Sequence, residues 1–250
     1  LIKGTLFPDL GYGGFIVSHH CVKIKRFVKA FVWILALLFL PVHSATAATT
    51  VEPLQLTCGK WLSATIPQLQ NDLTPKQLSL LNAKLRQVVL TAYEQFEQTA
   101  LETRADSKMP EHLKNALTFR ANYEVFRNDQ QFVSVGQLVY QFTGGAHGMS
   151  SLTATTFRIS SGRAISLADL FLPGSNYRER LEGTVRRVGT ARGLPLWGFN
   201  GVKENANYYL TDQGLVLFFQ PYEIAPYSEG IVKIMVPYQE LADVMAFETE

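Results

Sequence analysis

The sequence is short of the residues that most protein chemistry needs. It has two cysteines, Cys21 and Cys58, and five histidines, of which only His112 and His147 lie beyond residue 43. A zinc site of three or four protein ligands would need both of those histidines plus carboxylates, and no H-x-x-x-H or H-E-x-x-H spacing occurs. There is no G-x-S-x-G elbow, no Walker loop and no G-x-G-x-x-G turn. These absences leave no catalytic residue, metal ligand or cofactor to assign. Long apolar runs are missing too: the longest falls well short of the ~20 residues that cross a bilayer.

That longest run has an address-like context. Lys23, Lys25, Arg26 and Lys29 precede the apolar segment 30–40, which is followed by Pro41 and Ala45-Thr46-Ala47. A basic region, a short apolar core and an A-x-A site predict a secretory signal peptide over 1–47, cleaved after Ala47. The first methionine is Met109, so a start at Val22 from an alternative start codon would give a signal of ordinary length and make 1–21 upstream sequence. Removing 1–47 takes five of the 23 Lys and Arg and one of the 21 Asp and Glu, turning a net charge of +2 into about −2. The basic excess belongs to the export signal and gives no nucleic-acid footprint. Cys58 is then alone, so no internal disulfide forms and the core must carry stability. The expected product is exported, with no membrane span after cleavage.

Beyond a short leader, 48–53, expected to be disordered, 54–66 reads as an irregular strand. Thr74-Pro75-Lys76-Gln77 is a capping box with proline at the first helical position. Leu78, Leu81, Leu85, Val88, Ala92, Phe96 and Ala100 then repeat at three and four residues, predicting one long helix to about Arg104 with an apolar stripe. From Leu117 the period is two: a strand through Phe119 to Val125, a turn at Asn128-Asp129, a strand over 132–142 and another over 151–159. A second, shorter helix capped by Ser175 or Asn176 follows, its arginines read as a solvated face. Strands over 207–210, 215–219 and 231–236 complete the chain. The expected fold class is α+β: an antiparallel sheet built from hairpins, packed against one long N-terminal helix and a second shorter helix.

Two loops stand out as candidate binding elements. Thr143-Gly144-Gly145-Ala146-His147-Gly148 holds three glycines in five positions, with His147 at its tip. The all-apolar strand 215–219 runs into Gln220-Pro221-Tyr222-Glu223-Ile224-Ala225-Pro226-Tyr227, where two prolines forbid a central strand and leave a rigid loop. His147, Gln220, Tyr222, Glu223, Pro226 and Tyr227 are therefore the candidate ligand-binding residues, with no catalytic or metal role assigned. The bland alternative is equally open: the tyrosines close the edge of the core with their hydroxyls in water.

Several of these segments carry a resemblance. Tyr140 to Gly148, Gly162 to Phe171 with its Ser-Leu-x-Asp-Leu-Phe, Phe199-Asn200-Gly201-Val202-Lys203, Leu210 to Tyr227 and Val236 to Leu241 keep their order along the chain. In these the sequence resembles the PdaC/RsiV-like family of bacterial envelope domains. The resemblance implies a PdaC-type N-terminal half over 54–150 and a companion half of unknown function over 151–250, together one integrated unit. The family includes the extracytoplasmic part of a lysozyme-sensing anti-sigma factor and a non-catalytic region of a peptidoglycan deacetylase. It therefore implies a secreted, non-enzymatic envelope module whose partner is a cell-wall glycan or a lysozyme-like protein. The rival expectation is an unrecognised cell-wall hydrolase or deacetylase-associated enzyme, using His147 with a carboxylate such as Glu223 or Asp169.

Overall fold

The computed structural model describes residues 23–25, 49–70 and 73–247. Strands β1 (Lys23–Lys25), β2 (Thr50–Cys58), β3 (Leu62–Gln70), β4 (Thr118–Asn128), β5 (Phe132–Phe142), β6 (Met149–Arg158) and β7 (Arg163–Ile165) lie side by side in chain order. The expected leader and irregular strand are in fact one hairpin, β2–β3, turning at Gly59, where φ is +51°. Pro53 faces Pro67 across it, so the two residues that cannot donate share one rung of the ladder. The sheet is antiparallel apart from one pair: β3 and β4 run parallel over three rungs, Leu62 opposite Phe119 to Ala64 opposite Ala121. Parallel neighbours need a long crossover, and helix α1 (Pro75–Ala105) with the short α2 (Glu111–Ala116) provides it. Most of the stretch read as a signal peptide lies outside the described residues. Its Lys23–Lys25 pairs with β2, so cleavage after Ala47 would leave β2 as the sheet edge.

α1 begins as the capping box requires. The Thr74 hydroxyl accepts from Gln77 N–H (3.3 Å), and the Gln77 side chain accepts from Thr74 N–H (3.0 Å). Its buried stripe is Leu81, Leu85, Val89, Tyr93, Phe96, Ala100 and Thr103; Leu78, Val88 and Ala92 are only half-buried on its flank. The shift by one residue has a packing cause. Tyr93 stacks on Trp61 (centroids 6.0 Å) and meets Phe119 edge-on (5.5 Å), contacts that alanine at 92 cannot make. Phe119, Ala121, Val133, Val135 and Val139 supply the sheet side of this core.

The other face of the sheet receives the rest of the chain. Helix α3 (Tyr177–Ala191) packs on a three-stranded antiparallel sheet of order β10-β9-β8, made of β8 (Tyr208–Leu210), β9 (Gly214–Phe219) and β10 (Val232–Pro237). β9 is buried at every position, as an uninterrupted apolar run predicts. The join to the large sheet is polar as well as apolar. The Ser134 hydroxyl lies 2.8 Å from Thr156 Oγ1 and accepts from Leu210 N–H (3.0 Å), while Arg127 donates to Asp129 and to the Tyr238 hydroxyl (2.7 Å). Two arginines expected on a solvated helix face are paired: Arg180 grips Asp243 bidentately (2.6 and 2.7 Å), and Arg187 reaches Glu240 (2.9 Å). No helix among the described residues is long and apolar enough to cross a membrane.

Candidate functional site

The hairpin β5–β6 delivers the glycine loop, 143–148, to one end of the large sheet. Gly144 has φ +95°, and the Thr103 hydroxyl of α1 donates to Thr143 O (3.0 Å), which fastens the loop to the helix. Gly148 has a different reason to be glycine. A Cβ there would lie 2.2 Å from the Tyr140 hydroxyl, so its smallness is what lets Tyr140 lie across the loop.

The end of β9 is pinned beside this loop by Gln220. Its amide donates to Leu152 O (2.7 Å) and accepts from Leu152 N–H (3.1 Å), mimicking a strand rung to β6. Glu223 closes the next turn twice: its N–H donates to Gln220 O (3.0 Å), and its carboxylate accepts from Gln220 N–H (2.7 Å). The turn places Tyr222 at φ +68°, a left-handed conformation that non-glycine residues avoid at a cost of roughly 1–3 kcal/mol. Pro226 opens the single helical turn Tyr227–Glu229.

Three of the candidate residues meet. The His147 ring stacks on Tyr227 (centroids 4.0 Å, 25°), and Tyr222 stacks on the other tyrosine (5.7 Å, 29°). One carbonyl organises them: Gly148 O accepts from the Tyr227 hydroxyl (2.7 Å) and from His147 Nδ1 (2.9 Å). A carbonyl can only accept, so Nδ1 is the donor in this contact, while Nε2 lies 3.5 Å from the Tyr222 hydroxyl. His147 is exposed and Tyr222 is 52% exposed. The remaining candidates, Gln220, Glu223 and Pro226, shape and hold the loop. This is an aromatic platform with hydroxyl and imidazole edges.

For acid–base chemistry the surroundings offer less. His147 forms no ion pair with a carboxylate among the described residues. Glu223 is engaged by its own turn. Asp169 accepts from the hydroxyl and N–H of Ser166 (2.7 Å each), which hold its carboxyl below the usual range. Among the described residues no three His, Cys, Asp or Glu side chains come close enough to hold a metal ion.

A second feature, not assigned from sequence, borders the same loop. Residues 198–203 and 205–207, residues 217–219 of β9 and Glu223-Ile224 line an open hollow of about 360 Å³. Its outer wall is rigid: Glu182 of α3 accepts from Val202 N–H (2.9 Å), Gly201 has φ +115°, and Arg186 lies over Phe199 (5.1 Å). Trp197 N–H donates to Ile224 O (2.9 Å), tying this wall to the tyrosine loop. The available signal was three asparagines in eight positions, Asn200, Asn205 and Asn207, a pattern that also spells an ordinary loop.

The class of molecule is thus an α+β fold with a loop-built aromatic face at the join of its two halves. Residues 60–150 match the family model described as Deacetylase PdaC, and 168–239 match the Protein of unknown function DUF3298. The chain has this two-part PdaC–DUF3298 architecture. Its fold is similar to the crystal structure of a DUF3298-family protein from Pseudomonas aeruginosa (TM-score 0.58, 20% identity, covering 79% of this chain and 94% of that one). It is also similar to a family member from Bacteroides fragilis (TM-score 0.55, 16% identity, 81% and 96%). No curated protein matches the sequence.

Proposed function

We propose that this protein is an exported, non-enzymatic envelope module that binds a cell-wall glycan on the His147–Tyr227–Tyr222 platform. The observation that carries the reading is the platform itself. A half-exposed tyrosine is kept in a strained conformation at the end of a stack that spans two distant loops. Strain concentrated at an exposed aromatic is typical of ligand contacts, and aromatic faces with polar edges suit the apolar and hydroxyl faces of a sugar. The matches to a cell-wall deacetylase family and the signal-peptide pattern in 1–47 support the envelope setting.

The test is co-sedimentation of the purified protein with insoluble peptidoglycan, beside capture on immobilised lysozyme. Retention on the wall material that is lost in Tyr222→Ala and Tyr227→Ala is the expected result. Capture by lysozyme alone would move the reading to a wall-active protein partner, for which aromatic hot spots are equally suited. Release of reducing sugar or acetate from the wall would replace it with the hydrolase or deacetylase-associated reading. Export is tested separately: the N-terminal peptide of the secreted protein is expected to begin at Ala48.

A further inference from the structure

We infer that a bulge in β4 is a latch that locks the two matched parts of the chain, 60–150 and 168–239, into one cooperative unit. In a regular strand successive side chains point to opposite faces, so a neighbour on one face meets only every second residue. In β4 the register to β5 slips: Val125 faces Val135, Arg127 faces Ser134, and Phe126 between them has no partner. Such a bulge re-aims side chains. The consecutive residues Phe126 and Arg127 therefore both meet the C-terminal part. Phe126 stacks on Tyr209 of β8 (centroids 3.8 Å, 17°), in space that Gly136 of β5 leaves open, since a Cβ there would come within 2.3 Å of the Phe126 ring.

Arg127 is the stronger half of the latch. Its side chain is 11% exposed, and its guanidinium lies over three rings, Phe132 (5.3 Å), Tyr238 (5.5 Å) and Phe247 (5.9 Å). Phe132 stands on the large sheet, whereas Tyr238 and Phe247 come from the end of the chain; Phe132 and Phe247 also meet edge-on (4.7 Å). The Tyr238 hydroxyl donates to Thr211 O (2.9 Å), so its lone pair is what accepts from Arg127 (2.7 Å), and Asp129 accepts a further N–H. The planar fork of an arginine serves a carboxylate, a hydroxyl and ring faces together, which a lysine ammonium cannot do. Other ties across the seam, such as Leu210 N–H to the Ser134 hydroxyl and Gln220 to Leu152 O, are neutral hydrogen bonds, roughly half as strong as charge-assisted ones. The latch bears on the aromatic platform, because His147 is carried by one part and Tyr222 and Tyr227 by the other. It needs no ligand, so its test stands apart from wall retention.

Pulse-labelling hydrogen exchange of the full chain across a urea series, read by mass spectrometry, tests the latch. Peptides from α1 and from β9 report the two parts within the same molecules. In the natural protein both are expected to become exchangeable at one midpoint, as a single cooperative unit requires. Arg127→Lys keeps the charge but loses the fork, and should separate the two midpoints by roughly 0.5–1 M urea. Tyr238→Phe keeps the ring and removes only the hydroxyl, and should separate them by less. Two midpoints already present in the natural protein would overturn the latch. Coincident midpoints in Arg127→Lys, whether unchanged or lowered together, would overturn it as well. Where Arg127→Lys does not fold, Tyr238→Phe decides on the same criterion.

Discussion

The sheet face beneath α1 and the loop 220–227 handle their aromatics in opposite ways. Under the helix, Phe96 and Phe119 are essentially inaccessible, and their rings meet one another and Tyr93 at centroid distances of 5.5–6.4 Å. In the loop, Tyr222 stands half in solvent with φ at +68°, held there by hydrogen bonds that other residues make. The first arrangement gains stability from each ring. The second gives some up to keep a ring outside. Residues of the same chemical kind thus separate by task, and the separation is open to experiment.

The largest expected effect is on the helix-covered side. Phe119→Ala removes a fully buried ring and should cost about 3–5 kcal/mol, read as a lower denaturation midpoint with unchanged slope. Wall retention per folded molecule should not change; a selective loss of retention would blur the division between core and loop. Gly148→Ala comes next. The added methyl meets the outer end of the Tyr140 ring, a part-exposed side chain that can swing aside, so the cost should fall below the ~1–3 kcal/mol of core overpacking. Here retention should fall together with the melting temperature.

A smaller effect concerns pH. Asp169 is stabilised as a carboxylate by the Ser166 hydroxyl and N–H, so its folded pKa lies below its unfolded one. Between those values the unfolded chain binds more protons, so the contribution is complete above about pH 4 and is lost as pH falls through the lower folded value. Asp169→Asn should flatten that part of the stability profile, by a modest amount because the group is exposed. The platform should be indifferent to this change.

Much of the fold was written in local patterns. The Thr74–Gln77 box fixed where α1 starts, and two-residue alternation marked β4 and β5, because capping and pleating depend on near neighbours. The β2–β3 hairpin reads in sequence as a leader and one irregular strand, because the pairing that sets Pro53 opposite Pro67 leaves no local signal. The parallel β3–β4 pair depends on how a crossover of more than 40 residues closes, which no local period records. The same division applies to the site. Prolines and glycines showed two rigid loops, but nothing local brings His147 to Tyr222, 75 positions away. The asparagines of the hollow carried no signal that separates its wall from an ordinary turn.

The claim that Tyr222 is held for contact rather than for folding is tested most directly by Tyr222→Gly. Glycine adopts φ +68° freely, so relief of roughly 1–3 kcal/mol of strain offsets the lost stacking on Tyr227 and the entropy of an added glycine. The account predicts a denaturation midpoint equal to or above that of the natural protein, together with loss of retention on insoluble peptidoglycan. A destabilisation of more than about 2 kcal/mol, the size expected for a core aromatic, with retention intact would contradict it.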